Sequence, residues 1–140
     1  MEQPKVSLKR HDLDIQAEVD RLKLSYPPLT KDRHSVHVQV TEGIVKISGH
    51  VQTPNTRQYF LNTVPSVPGV VAVDASELFD DESIRLEAGQ RLPDGVNVGR
   101  SQYGNLVLVG KLPTGTTESE IVGRVARVQG VRRVVAAFED

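Results

Sequence analysis

From Val36 to Val51 the chain alternates apolar and polar residues around a single break. Val36, Val38 and Val40 are separated by His37 and Gln39, Glu42-Gly43 interrupts the run, and Val45, Ile47, Gly49 and Val51 return it. A period of two marks half-buried strands. A two-residue turn sets Val40 opposite Val45 and Val38 opposite Ile47, so the apolar sides agree. Upstream, Ile15, Val19 and Leu22 share one side of a helix that Asp12 or Asp14 could cap and that Pro27-Pro28 ends. Residues 29–35 then read as a polar connector, and residues 1–11 as a flexible lead-in. Downstream, Thr53-Pro54 starts a helix with Phe60, Leu61 and Val64 as its buried stripe. Pro65 stops it, Pro68-Gly69 closes the segment, and Val71, Val73 and Ala75 alternate as a third strand.

The same order is then written again. Asp80-Asp81-Glu82 opens a helix with Ile84, Leu86 and Leu92 as apolar positions, its acids suited to the positive helix N-terminus. Val96 and Val98 begin a strand, Gln102 to Asn105 turn it, and Leu106, Leu108, Gly110 and Leu112 return. Thr117 and Glu120 form a capping box before Ile121, Val122, Val125 and Val128, and Val134, Ala136 and Phe138 make a last strand. Gly43, Gly49 and Gly69 recur 61 residues later as Gly104, Gly110 and Gly130, and Val64, Val67, Val70 and Val73 as Val125, Val128, Val131 and Val134. Val36 and Val96 are only 60 apart, so the second hairpin carries one extra residue. A period this short means two copies of one supersecondary unit. The expected fold is α+β: residues 12–78 and 79–140 each form a three-stranded mixed sheet with two helices on one face, in the order αββαβ.

Composition narrows the chemistry. Cysteine is absent, which removes disulfides, thiolate metal sites and cysteine nucleophiles. Residues 79–140 hold eight of the 17 Lys/Arg and nine of the 18 Asp/Glu, leaving nine of each for residues 1–78. Nucleic-acid binders show a basic excess and stacking aromatics; with neither, no nucleic-acid partner is expected. No apolar run of signal-peptide length follows Met1, so a cytoplasmic protein is the expectation.

Two stretches carry a more specific resemblance. Glu42-Gly43-Ile44-Val45-Lys46-Ile47-Ser48-Gly49-His50-Val51 with Val67-Pro68-Gly69-Val70-Val71-Ala72-Val73, and Gly104-Asn105-Leu106-Val107-Leu108-Val109-Gly110-Lys111-Leu112 with Val128-Gln129-Gly130-Val131-Arg132-Arg133-Val134, resemble the BON domain. The resemblance covers nearly the whole chain as two BON domains. It implies the fold above and a non-enzymatic role: binding or scaffolding, contact with phospholipid at a membrane surface, or sensing of a small ion such as K⁺ or Ca²⁺ through backbone carbonyls.

No residue set forms a catalytic constellation, and no cofactor is implied. Gly43 and Gly104 suit hairpin turns, Gly69 and Gly130 helix ends, and Gly49 and Gly110 inward strand positions where a helix comes close. His37 and His50 fall together on the polar side of the first hairpin, but no acidic residue shares that side. Solvated strand histidines explain them better than a zinc or copper site. Arg124, Arg127, Arg132 and Arg133 gather near the end of the last helix, where cations are favourable; they are the candidates for a head group or an acidic partner. Finally, Val107, Val109, Val135 and Ala137 make the outer side of the second sheet apolar where the first copy has Lys46, Ser48 and His50. A sheet apolar on both sides is covered by something. The first copy or another subunit is favoured over an outside ligand, and these four residues are the interface candidates.

Overall fold

The computed structural model describes residues 4–140. In chain order the elements are α1 (Pro4–Ser25), α2 (Pro27–Asp32), β1 (Val36–Thr41), β2 (Ile44–Val51), α3 (Pro54–Thr63), β3 (Ala72–Asp80), α4 (Asp81–Gln90), β4 (Val96–Gln102), β5 (Asn105–Gly110), α5 (Glu118–Ala126) and β6 (Arg133–Phe138). Short 3-10 turns occupy Arg33–Ser35 and Val64–Ser66. The chain divides into two compact units. One holds the residues up to Val51 with Asn55–Leu78; the other holds Phe79–Asp140 with Gln52–Pro54. Each has one three-stranded mixed sheet, ordered β1-β2-β3 and β4-β5-β6.

In the first unit β1 and β2 pair antiparallel with Val38 opposite Ile47 and Val40 opposite Val45, the register that the alternation requires. Val45, Ile47 and Val51 are fully buried with Ile15, Val19, Leu29, Phe60 and Val64. The aromatic rings of Tyr26 and Tyr59 stack 3.9 Å apart beside this core. Arg57 of α3 donates to the carbonyls of Leu78 and Ala75, at 2.8 and 3.1 Å, along β3. The second unit buries Leu106, Leu108, Ile121, Val125 and Val128 with Ile84, Ala88, Val96 and Val98.

Four local expectations change. Helix α1 already holds residues 4–11, which therefore continue the helix instead of leading into it; residues 1–3 lie outside the described residues. Proline is favoured at the first helical position, where its missing N–H costs nothing. This rule explains α2: Pro27-Pro28 ends one helix and starts another, with Leu29 wholly buried where a polar connector was expected. The second hairpin does not turn more widely. Both turns have two residues, Glu42-Gly43 and Tyr103-Gly104, with φ of 51° and 80° in one and 50° and 83° in the other. The extra residue is a β-bulge at Gly99, since Val98 pairs with Leu108 and Arg100 with Val107. The Val98 carbonyl accepts from the Arg85 guanidinium at 2.8 Å, and the offset between copies returns to 61.

The fourth change concerns Gly49 and Gly110. Their φ angles are +109° and +108°, and a Cβ on either would lie 2.0 Å from a backbone carbonyl oxygen, that of Ser35 or Gly95. The space they leave is therefore taken by the start of the neighbouring strand, not by a helix.

The threonine half of the expected capping box forms at α5. The Thr117 hydroxyl accepts from the Glu120 N–H at 3.2 Å. Thr117→Ala should cost about 1 kcal/mol, read as a fall of roughly 4–8 °C in thermal midpoint for a unit of this size; an unchanged melt would mean the cap contributes nothing.

Candidate interaction face

The outer side of the second sheet is a three-by-three array set by strand register. Asn97, Val109 and Ala137 form one row, Arg100, Val107 and Val135 the next, and Gln102, Asn105 and Arg133 the last. The inner residues of the same strands, Val96, Val98, Leu106, Leu108, Val134 and Phe138, face the core. The Gly99 bulge keeps the array in phase. It turns Arg100 outward and Ser101 inward, where the Ser101 hydroxyl donates to the Asp81 carbonyl at 3.0 Å. Val107 and Val109 are half-buried among their neighbours, Ala137 is exposed, and Val135 retains 41% of its surface.

The first sheet presents a different surface. His37, Gln39 and Thr41 pair with Ser48, Lys46 and Ile44. The residues at the offset positions on β3 are Ala72, Asp74 and Ser76, all exposed. The Asp74 carboxylate accepts from the amide and hydroxyl of Ser76 at 3.0 and 2.7 Å. These bonds, with the nearby Lys46 ammonium, hold its pKa below the ordinary carboxylate value. The contrast between the copies is sharpest in the middle row: Lys46 and Asp74 stand where the second unit has Val107 and Val135.

His37 is exposed, but His50 is only 6% exposed, so it is not a solvated strand histidine. The positive φ of Gly49 breaks the alternation and leaves both His50 and Val51 buried. Among the described residues no group of three or more His, Cys, Asp or Glu could hold a metal ion.

Arg124, Arg127, Arg132 and Arg133 are all exposed. Arg124 lies in the last turn of α5, Arg127 is its C-cap, and Arg132 and Arg133 lead into β6. None joins a salt bridge among the described residues. They do not all belong to one surface element, and only Arg133 takes a place in the array, beside Asn105 and one row from Val135. Arg100, which the sequence reading passed over, is the array's second cation. Its guanidinium donates to the Gln102 side-chain oxygen at 2.6 Å and makes no salt bridge among the described residues. Only the bulge puts it on this side, and that is invisible in a simple alternation.

Asp12 is not a cap, and Asp81, in the first turn of α4 as expected, has a further role. Asp12, well inside α1, accepts from the N–H groups of Glu42 and Gly43 at 2.8 and 2.9 Å. Asp81 accepts from those of Tyr103 and Gly104 at 2.7 and 3.2 Å. Each thus clamps the hairpin turn of its own unit. Asp80 is the true N-cap of α4, accepting from Ser83 N–H at 2.8 Å. The acidic pair is therefore committed to the fold, and no helix of the described residues is long and apolar enough to cross a membrane.

No curated protein matches this sequence. Among solved structures, CdsD, a structural protein of the type III secretion system of Chlamydia trachomatis, is similar with a TM-score of 0.71 and 18% identity, over 91% of this chain and 62% of that one. A structure of the CdsD C-terminal domain gives a TM-score of 0.60 at 18% identity, over 90% of this chain and 65% of that one. The chain thus spans less than two thirds of the solved structures it resembles, and the likeness is one of fold. The family model of the BON domain matches residues 11–78, the first of the two units.

Proposed function

We propose that this protein is a non-enzymatic binding or scaffolding module made of two BON-type units, with the outer face of its second sheet as the contact surface. Several equivalences support reading residues 79–140 as a diverged second copy. The turns share their φ angles, and the Gly43 and Gly104 carbonyls accept from Val71 and Arg132 N–H at 2.8 and 2.7 Å, at offset positions. Each turn is also held by one carboxylate. The observation that carries the binding assignment is the apolar square of Val107, Val109, Val135 and Ala137 on a frame whose other copy is polar. Covering one such valine contributes about 1.5–3 kcal/mol when burial is complete, enough to decide an association. Similarity to a structural protein of a secretion system agrees with an assembly role.

The chain's lack of cysteine allows clean site-specific chemistry. A photoreactive residue at Val135 should give a covalent adduct with a second polypeptide in the source cell, and one at Ser76 should not. Val107→Lys with Val109→Glu should remove the adduct while far-UV circular dichroism stays native. Equal labelling from both positions, or none from Val135, would show a bare face.

A further inference from the structure

The charge around the apolar square says what kind of partner fits it. Of the five residues that border the square in the array, Arg100 and Arg133 are cationic and Asn97, Gln102 and Asn105 are neutral; exposed Glu139 follows beyond Ala137, so cations still outnumber carboxylates around the square. Both arginines are exposed, and neither forms a salt bridge among the described residues. We propose that this face docks an amphipathic helix of a partner protein whose apolar side is flanked by Asp or Glu. The inference rests on the reading of the face as a contact surface and adds the chemistry of the occupant.

Three arguments select that occupant. The square measures roughly 5 Å across the strands and 7 Å along them, and side chains at i and i+4 of a helix are separated by about 6 Å. One apolar helical stripe therefore spans it. A second copy of the same face would set two arginines against two arginines, with only Glu139, at the opposite end of β6 from Arg133, to offset them, and like charges are disfavoured. A membrane is a poor match as well: surfaces that enter lipid present Trp, Phe or Leu with their basic residues, and this square offers three valines and one alanine. Carboxylates flanking a helical stripe meet both arginines, whose planar guanidinium suits bidentate pairing.

The test uses the full chain and synthetic helical peptides carrying a leucine stripe flanked by Glu, Gln or Lys, titrated by fluorescence anisotropy. Exposed ion pairs give about 0.2–1 kcal/mol each, so two pairs predict that the Glu peptide binds about two- to thirtyfold tighter than the Gln peptide. The Lys peptide should be weakest. Arg100→Glu with Arg133→Glu should reverse the order of the Glu and Lys peptides, and Val107→Lys with Val109→Glu should abolish binding of all three. The proposal is overturned by equal affinity for the three peptides, by an order unchanged in the arginine variant, or by binding that survives the valine variant. Retention on phosphatidylglycerol vesicles without peptide binding would overturn it in favour of lipid, and concentration-dependent dimerisation lost in the valine variant in favour of a second copy. If the peptides fail while Val135 still crosslinks specifically in the cell, the contact surface stands and only this choice of partner falls.

Discussion

Gly110→Ala should cost the second unit most of its stability. The methyl group would be placed 2.0 Å from the Gly95 carbonyl oxygen, on a residue with φ of +108°. A non-glycine residue held at such an angle costs on the order of 1–3 kcal/mol. Forcing a backbone carbonyl aside adds roughly 1–3 kcal/mol by overpacking. The pair of strands cannot relax cheaply, because the same carbonyl accepts from Lys111 N–H at 2.9 Å and Glu139 N–H donates to Gly110 itself at 2.7 Å. A total of about 2–6 kcal/mol is a large share of a domain's usual 5–15 kcal/mol, and predicts a fall of about 10 °C or more in thermal midpoint. The control is the same substitution at Gly89. That glycine lies inside α4 with no atom within 4 Å of the added Cβ, so Gly89→Ala should raise stability by about 0.5–1 kcal/mol. Denaturant melts of the two variants must move in opposite directions; a Gly110→Ala protein as stable as the parent would show that the strand start yields.

The second large effect is expected at Asp81. The residue is 5% exposed, and its carboxylate receives two backbone N–H groups, one from buried Gly104. Asp81→Ala strands both donors, and each unsatisfied buried group costs about 1–3 kcal/mol. A loss of roughly 3 kcal/mol follows, with faster amide exchange at Tyr103 and Gly104 as its local signature. Asp12→Ala in the first unit removes the matching clamp, but one of its donors belongs to exposed Glu42, which water can satisfy. The penalty there should be about half as large. Equal losses at the two sites would mean that burial does not set the difference.

Much of this architecture is legible in the sequence because it rests on local chemistry. The Glu42-Gly43 turn, the Val38–Ile47 register and the Thr117 cap each follow from a few adjacent residues. What escapes is what depends on contacts distant in sequence. Asp12 looks like a helix cap until the fold brings the turn at Glu42 to it, 30 residues away. Pro27-Pro28 stops and starts helices by the same restriction, and only the burial of Leu29 decides that it does both. Gly110 was legible as necessary but not for its reason, since nothing nearby in sequence places the Gly95 carbonyl beside it. Of the candidate face, the four apolar residues could be read from alternation. Arg100 could not, because a bulge changes which side each residue takes, and pattern alone does not say where an extra residue is absorbed.

That bulge has a bearing on how the protein could assemble. β4 is an outside strand of its sheet, and a regular outside strand invites a foreign strand to hydrogen-bond along it. At Gly99 the spacing of amides and carbonyls slips by one residue, and the Val98 carbonyl is already engaged by Arg85. A foreign strand would meet a broken template on this side. Growth by ribbon extension from β4 is therefore disfavoured.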